Sequence, residues 1–482
     1  MNSASAIETE GAQRRSRVRY GVLMFVCTLS MVTYLDRACI SVSARKIIED
    51  LGLTGMGDLR GAFTAFALAF ALFEVPTGWL GDVFGPRKVL IRIVLWWSAF
   101  TALTGMVGMS LGGMVLGGVG TLVVVRFLFG MGEAGAYPNI TRTLHNWFPV
   151  QERGFAQGSV WMSGRIMGGL TPLIWTVLVA GVTSWGLPSL ITWRQSFWLF
   201  GLIGVLWCVA FALWFRERPE QKPQVNAAEM AWIRSGAAET QAAHPRVPWL
   251  KLLASGNLWF LCMMYGCLAY GWYFNITYLP GFLEEQYGVA PTSALGAIYK
   301  GGPLGLGAVG CLLGGFLTDW FTRRTGNRRW GRRLFGMAGL AIASGCLLIC
   351  PHMHSAFGVA LVISLSAFFA DLNMGAAWAV TQDIGRRYAG TVAGFMNMVG
   401  NLVGGMGASW ISGTILKQFL DKHAAALGVA AAQLSNAEKA AGQMPGYHLN
   451  FYLFAAAFFI GFLCWMGIDA TRPVLAEDDG KR

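Results

Sequence analysis

Long apolar runs separated by short polar gaps recur along the whole chain of 482 residues. Each run is close to the ~20 residues that a helix needs to cross a bilayer, and far longer than the ~10 alternating residues of a transmembrane strand. Because lipid offers no partners to backbone N–H and C=O groups, spanning segments of this kind must be helices. The pattern predicts twelve spans, at about 20–43, 61–81, 89–109, 113–139, 153–181, 195–215, 256–283, 292–320, 333–351, 355–381, 390–416 and 448–470.

The composition also indicates an all-α polytopic membrane protein. Hydrophobic residues make up 55% of the chain and charged residues 13%, against roughly 45–50% and about 25% in soluble domains. These values exclude a soluble enzyme, a disordered chain and a nucleic-acid binder. The sequence contains no GxxxxGK[ST] phosphate loop and no HExxH motif. We therefore expect neither ATP-driven transport nor an enzyme, and no cofactor or metal.

The placement of positive charge predicts the orientation. With a cytoplasmic N-terminus, 26 of the 37 Lys and Arg residues fall in cytoplasmic segments, seven on the opposite side and four within spans. The positive-inside rule then places both termini in the cytoplasm, and the short loops favour a bacterial inner (plasma) membrane. The predicted order is an N-tail 1–19, a six-helix half 20–215, a cytoplasmic linker 216–255, a second six-helix half 256–470 and a C-tail 471–482.

A weak internal repeat marks one loop in each half. Asp82 and Asp319, 237 residues apart, each follow a Gly-x-x-x spacing and precede basic residues. We expect Asp82 to cap the next helix, and the basic pair after it to face the anionic leaflet. Topology signals alone would explain the basic residues but not the repeated Gly and Asp spacing. The candidate gating residues are Gly78, Asp82, Gly85, Arg87, Lys88 and Asp319.

Charged residues also lie inside the predicted spans. Each costs ~2.5–3.5 kcal/mol at the bilayer centre and is usually functional. Span 1 carries Asp36 and Arg37, span 4 carries Arg126 and Glu133, and span 5 carries Arg165. A buried carboxylate either pairs with arginine or takes a proton, so Asp36 and Glu133 could exchange arginine partners and couple transport to protons. The alternative is a static ion pair that locks spans 1 and 4.

The arginine surplus predicts an anionic solute. Arginine binds carboxylates in a bidentate manner, and a midplane cavity with more arginine than acid suits a small anion. Aromatic and amide side chains could bind its hydroxyl groups, although each is equally well explained by packing. The candidate substrate-binding residues are Tyr34, Arg37, Arg126, Arg165, Tyr265, Trp378 and Asn397, with Asn401 on the same helix face as Asn397.

These motifs together resemble the major facilitator superfamily. The run from Gly78 to Lys88 is similar to its loop 2–3 signature, with Val83 where that family usually has Arg. The patterns Tyr34-x-Asp36-Arg37 and Arg126-x6-Glu133, with Asn397 in span 11, resemble its anion:cation symporter branch, which includes bacterial galactonate, glucarate and hexuronate transporters. The resemblance implies twelve transmembrane helices in two pseudo-symmetric six-helix halves that work by alternating access.

The resemblance also implies roles for the residues. Asp36 and Glu133 would take the coupling protons, and Arg37 and Arg126 would handle the substrate carboxylate and salt-bridge exchange. Tyr34, Trp378 and Asn397 would line the site. The implied function is proton-coupled symport of a sugar acid such as a hexuronate, aldonate or aldarate. Alternatives are import of another carboxylate (an aromatic acid or a dicarboxylate) and export by the same fold.

Four departures from galactonate-type members bear on the substrate. Phe70 stands in place of a Tyr, Arg165 and Tyr265 each stand in place of a Gln, and span 10 gains Asp371. Arg165 could contact a second carboxylate or could neutralise Asp371 across the halves. We expect a monomer whose partners are the lipid bilayer, protons and a small anionic solute.

Overall fold

A computed structural model describes most of the chain. The predicted linker and both predicted tails lie partly outside the described residues, as do the first residues of spans 4 and 8. The described ranges are 14–53, 56–111, 114–115, 117–181, 188–235, 247–289 and 294–475.

Helices dominate the described residues of the first half. Span 4 is broken after Glu133, because Gly135 takes a positive φ of 82° where its missing Cβ avoids Thr77. This break places the Glu133 carboxylate at a helix end inside the bundle. The helices are α1 (Val18–Asp50), α2 (Arg60–Phe84), α3 (Pro86–Thr104), α4 (Val119–Glu133), α5 (Ala136–Trp147), α6 (Arg153–Trp175, continued by a π-helical turn, Thr176–Ala180) and α7 (Trp193–Trp214).

Two short helices precede the second half, and two short strands follow α3. The strands β1 (Ser110–Leu111) and β2 (Met114–Val115) pair antiparallel, with Ser110 opposite Val115. The remaining helices are α8 (Ala227–Arg234), α9 (Trp249–Leu253), α10 (Gly256–Thr277), α11 (Leu279–Tyr287), α12 (Ala294–Thr325), α13 (Arg328–Ile349), α14 (Ala356–Gly385), α15 (Ala389–Gly400, continued by a π-helical segment, Asn401–Ala408), α16 (Ser409–Ala426) and α17 (Asn436–Gly467).

The helices supply twelve membrane crossings. In the described chain, nine helical stretches are long and apolar enough to cross a bilayer, and one of them, Ala356–Ala426, has 71 residues and holds two crossings. The two other crossings are α3, which begins with basic residues, and α10, which is rich in tyrosine and tryptophan. The predicted all-α fold with twelve spans in two halves is therefore confirmed.

Both ends of the described chain lie on one face of the bundle. Arg19 at the start of α1 binds Glu152 just before α6, and the N–H of Val474 donates to the C=O of Ile384 near the end of α14. We call this side, defined by the starts of α1 and α6 and the end of α14, the terminus face. The location of the termini on one face follows from an even number of crossings.

The two halves touch backbone to backbone at the terminus face. A Cβ added to Gly78 of α2 would lie 2.4 Å from the carbonyl oxygen of Gly390 at the start of α15. A Cβ added to Gly315 of α12 would lie 2.3 Å from the carbonyl oxygen of Gly154 at the start of α6. Only glycine allows helices to approach this closely, so the terminus face is closed by glycine contacts.

Candidate functional site

A cavity of about 60 Å³ lies between the two halves, deeper in the bundle than the glycine contacts. Ligand pockets usually measure roughly 300–1,000 Å³, so this cavity must widen to admit a solute. Five of the predicted substrate-binding residues line it: Tyr34, Arg37, Arg165, Tyr265 and Asn397.

Arg37 of α1 is ion-paired at the cavity wall. Its Nε donates to Oε1 of Glu133 at 2.6 Å, and Glu133 is fully buried. The guanidinium lies 4.2 Å from the ring centroid of Phe70, so aromatic stacking fixes its plane. Its Nη2 is buried with no hydrogen-bond acceptor among the described residues. Arg37 therefore keeps one nitrogen without an acceptor in the described chain while it is paired with Glu133.

Asp36 and Arg126 lie beside this pair without being paired themselves. Both Asp36 carboxylate oxygens and Nε of Arg126 are buried with no hydrogen-bond partner in the described chain. Glu133 and Arg126 are the charges that act most strongly on Asp36, and Arg126 lies 4.2 Å from the ring centroid of Phe129. The four predicted charges of spans 1 and 4 thus form one buried cluster, in which Arg37 is paired with Glu133 while Asp36 and Arg126 are not paired in the described chain.

Arg165 of α6 forms the second ion pair of the cavity, across the halves. Its Nε and Nη2 donate to the two carboxylate oxygens of Asp371 on α14, each at 2.9 Å. Its Nη1 donates to the hydroxyl of Tyr34 at 3.3 Å, and Trp272 stacks on the guanidinium at 4.0 Å. Of the two roles the sequence left open for Arg165, neutralisation of Asp371 is the one present in this conformation.

Asn397 connects α15 of the second half to α2 of the first. Its Nδ2 donates to Oε1 of Glu74 at 2.7 Å, and Asn401 is held by the hydroxyl of Tyr273 at 2.9 Å. Glu74 is fully buried, and its other carboxylate oxygen has no partner among the described residues. A third carboxylate therefore lies near Arg37, whose charge acts on it.

Two predicted binding residues lie behind the cavity wall rather than on it. Arg126 belongs to the buried cluster just described, and Trp378 of α14 is fully buried against Trp161 and Tyr265, at ring-centroid distances of 5.2 and 5.9 Å. Trp161 and Tyr137, which stack at 4.4 Å, form the lining in front of Trp378. The part that Trp378 plays toward a solute stays a prediction.

Asp82 does not cap the next helix, contrary to the sequence prediction. Its carboxylate accepts the N–H groups of Gly390 and Thr391 at 3.0 and 2.6 Å, and the Thr391 hydroxyl at 2.7 Å. It therefore caps α15 in the other half, where the helix N-terminus favours a negative charge. The N-cap residue of α3 is instead Gly85, with φ 88°. Asp82 joins the halves at the terminus face.

Asp319 makes the equivalent contact from the second half. Its carboxylate accepts the N–H groups of Gly154 and Phe155 at 3.1 and 2.6 Å, at the start of α6. Arg332 pairs with Asp319 at 2.8 Å and with Asp383 at 3.1 Å. The corresponding charge beside Asp82 is Arg142, at 3.7 Å. The repeat found in the sequence is thus a pair of reciprocal helix caps, the second reinforced by a closer arginine.

The two basic residues of the loop motif, Arg87 and Lys88, lie in different environments. Arg87 was expected to face the leaflet, but its Nε and Nη2 donate to the carbonyl oxygens of Phe215 and Ala212 at 3.1 and 2.6 Å. A guanidinium is favourable there because the C-terminal carbonyls of α7 carry partial negative charge. Lys88 is exposed.

Sequence reasoning did not assign several residues that the fold brings to the site. Glu74 was visible as an acidic residue inside span 2, and its position two residues before Pro76 was the available signal. The aromatic lining gave no signal, because most of the predicted spans contain tryptophan or tyrosine. No group of three His, Cys, Asp or Glu side chains in the described part could hold a metal ion. The unassigned lining residues are Phe70, Tyr137, Trp161, Trp272 and Tyr273.

Comparison with known proteins gives consistent matches. Residues 26–408 match the family model of the Major Facilitator Superfamily. The probable sulfoacetate transporter of Cupriavidus necator is 35% identical over 410 residues, covering 84% of this chain and 89% of the relative. The probable galactarate/D-glucarate transporter of Escherichia coli is 29% identical, with 83% and 87% covered. The hexuronate transporter of Bacillus subtilis is 28% identical, with 84% and 89% covered.

Solved structures share the fold at lower identity. FucP, a Major Facilitator Superfamily transporter in the outward conformation, gives a TM-score of 0.65 at 12% identity, covering 94% of this chain and 99% of that one. An inward-facing bacterial homologue of the human lysosomal transporter Spinster gives 0.61 at 20% identity, covering 93% and 97%. Since the family and the relatives are membrane transporters, the prediction of a transporter rather than an enzyme is confirmed.

Proposed function

The chain belongs to the major facilitator superfamily, and we propose that it is a proton-coupled symporter of a small organic anion. The observation that carries this proposal is the Arg37–Glu133 ion pair at the cavity wall, beside the unpaired Asp36 and Arg126. An arginine that can bind either a carboxylate of the protein or an anion of the solute supplies a direct link between protonation and binding.

The coupling follows from the cost of buried charge. A carboxylate without a donor is unfavourable as an anion away from water, so Asp36 is suited to hold a proton. When Glu133 takes a proton, it releases Arg37 for the solute. When Glu133 loses that proton, it reclaims Arg37 and expels the solute. With Asp36 and Glu133 each carrying a proton, uptake of a monoanion moves one net positive charge. It therefore draws on the proton gradient and on the membrane potential, which supplies ~2.3 kcal/mol per charge per 100 mV.

The geometry also supports an order of events. We place the terminus face in the cytoplasm, in a bacterial inner membrane, because most of the basic residues outside the spans belong to that side. The glycine contacts and the caps by Asp82 and Asp319 close this face. The conformation then corresponds to a carrier that receives solute and protons from outside, before the halves rock and open the cytoplasmic side.

The substrate class is a small organic acid. The relatives' names give sulfoacetate, galactarate or glucarate, and hexuronate, and we propose that this protein carries a solute of the same kind. A sugar acid would use the amides of Asn397 and Asn401 and the hydroxyls of Tyr34 and Tyr273 for its hydroxyl groups. Sulfoacetate is the second candidate, favoured by the higher identity of the relative that carries that name.

Uptake into proteoliposomes tests the proposal. The panel is sulfoacetate, glucarate, glucuronate and galactonate, with glucose as the neutral control and an organic cation as the charge control. We expect one of the acids to accumulate under an inward proton gradient, and a protonophore to abolish the accumulation. Accumulation driven by sodium instead, or transport of the neutral or cationic solute alone, would contradict the proposal.

A further inference from the structure

The geometry points to a second anion subsite at Arg165 that Asp371 fills while the carrier is empty. We propose that a solute with acidic groups at both ends displaces Asp371 from Arg165, and that Asp371 then takes up one proton. A dianion would therefore be carried with one more proton than a monoanion. The inference rests on the proposed function, since it concerns the same cavity.

Asp371 occupies the edge of Arg165 that a substrate acid would use. The Nε and Nη2 of Arg165 each donate to a different oxygen of the Asp371 carboxylate at 2.9 Å. A carboxylate or sulfonate group of a solute presents two oxygens at a similar spacing and would bind the same edge in a bidentate manner. The aspartate and the solute therefore compete for one set of donors.

The two cavity arginines differ in what they offer an anion. Arg37 has Glu133 as its one acceptor and a buried Nη2 without an acceptor in the described chain, so protonation of Glu133 frees Arg37 for an acidic group. Arg165 has an acceptor for each of its three nitrogens, two on Asp371 and one on Tyr34. Tyr34 lies one helical turn before Arg37 on α1, and all three side chains line the cavity. One end of a solute can bind Arg37 once Glu133 is protonated, whereas the other end must displace Asp371.

Displacement leaves Asp371 without a counter-ion. Its side chain is almost fully buried, and in the described chain the charged or titratable groups that act on it are Arg165 of α6, Tyr34 of α1 and Cys311 of α12. Arg165 is the only cation among them. A buried carboxylate that loses its only cation is strongly unfavourable as an anion, so displacement is accompanied by uptake of a proton from the open side.

The net charge of the loaded carrier predicts how many protons accompany each kind of solute. A monoanion binds Arg37 and leaves the Arg165–Asp371 pair intact. A dianion adds one negative charge to the cavity, and protonation of Asp371 removes one. Both loaded carriers thus hold the same net charge when they turn, which lets a single transport cycle serve both solutes.

The reversal potential of wild-type proteoliposomes gives the proton-to-solute ratio and tests the inference without any substitution. The pairs are glucarate against gluconate and sulfoacetate against glycolate, at a pH where both acidic groups of the dianions are ionised. We expect the ratio to be larger by one for the dianion. Equal ratios for a transported pair would overturn the inference while leaving the proposed function standing. Failure to carry any acid would instead defeat the proposed function.

Three variants supply the specificity test. Arg165→Gln should weaken dianion binding by at least about tenfold and change monoanion binding less than about twofold, since it removes charge-assisted bonds to one end only. Asp371→Asn should make the proton ratios of the two solutes equal. Lys300→Gln, which removes the Lys300–Glu284 pair, is the control and should retain the difference of one proton. If Lys300→Gln also made the proton ratios of the two solutes equal, the inference would be overturned.

Discussion

Arg37 of α1 donates from Nε to the Glu133 carboxylate of α4 at 2.6 Å, and Arg37 itself lines a cavity between two six-helix halves. The helix break at Gly135 is what brings Glu133 to this position at the end of α4. The same arginine has a buried nitrogen with no acceptor in the described chain. One side chain thus pairs with the Glu133 carboxylate and also lines the cavity.

Replacing Arg37 with lysine should weaken substrate binding although the charge is kept. Lysine lacks the planar fork that binds a carboxylate in a bidentate manner and cannot stack on Phe70 in the same way. Loss of a charge-assisted hydrogen bond corresponds to about 1.5–3 kcal/mol, so we expect affinity to fall at least about tenfold. Binding calorimetry or tryptophan fluorescence of the purified protein measures it. Unchanged affinity in Arg37→Lys would show that Arg37 does not contact the solute.

Gly78→Ala should prevent closure of the terminus face. The added Cβ would lie 2.4 Å from the Gly390 carbonyl oxygen, so α2 and α15 would have to separate. We expect initial uptake rates to fall at least about tenfold while the melting temperature in detergent stays close to that of the wild type. Gly301→Ala in α12 is the matched control, because a Cβ there meets nothing within 4 Å. Equal uptake by the two variants would contradict this role.

Asp82→Asn and Asp319→Asn should each loosen a different helix cap. Hydrogen exchange should speed up at Gly390 and Thr391 in the first variant and at Gly154 and Phe155 in the second, because those N–H groups lose a charged acceptor. Each variant is the control for the other. Equal acceleration at both helix starts in both variants would indicate general unfolding instead of local release.

Glu229 should stabilise the protein in a pH-dependent manner. It accepts the N–H groups of Val18 and Arg19 at 2.9 and 3.2 Å and so caps α1 from α8. Burial opposes its charge, but hydrogen bonds from Ser16, Val18 and Arg19 outweigh burial and lower the pKa of its carboxyl below the usual value. A lowered pKa in the folded state means that this stabilisation is present at neutral pH and is lost as the pH falls through the acidic range.

Thermal unfolding of Glu229→Gln measures this effect. We expect a loss of about 1–3 kcal/mol at pH 7 and a smaller difference from the wild type near pH 4. Glu220→Gln, which removes an exposed partner of Arg234, is the control and should cost less than about 1 kcal/mol. A difference between Glu229→Gln and the wild type that does not depend on pH would contradict the pKa argument.

The helices and the charged cluster were predictable because their signals are local. Apolar runs of fixed length define spans, and intramembrane charges such as Asp36 and Glu133 stand out against them. The partner of Asp82 was not predictable, since Gly390 lies 308 residues away and contact requires two halves to pack. The hydrogen bond from Asn397 to Glu74 was not predictable for the same reason, since it also joins the two halves.

The aromatic lining shows a second limit of sequence reasoning. Trp378 and Trp161 are both tryptophans in apolar spans, yet Trp161 lines the cavity and Trp378 lies behind it. Helix rotation about its own axis decides between them, and helices that are apolar all round carry little periodicity to indicate that rotation. The family resemblance predicted that Trp378 lines the site, whereas the structure places its side chain behind the cavity lining.

Gradient-driven accumulation in the Glu133→Gln variant, measured beside solute counterflow in the same proteoliposomes, tests whether Glu133 couples protons to the solute. Glutamine cannot cycle a proton but keeps the shape of the side chain next to Arg37. We expect that accumulation under an inward proton gradient is lost while counterflow, which needs only binding and alternating access, persists. Accumulation equal to that of the wild type would contradict the assignment of Glu133 as the residue that couples protons to the solute.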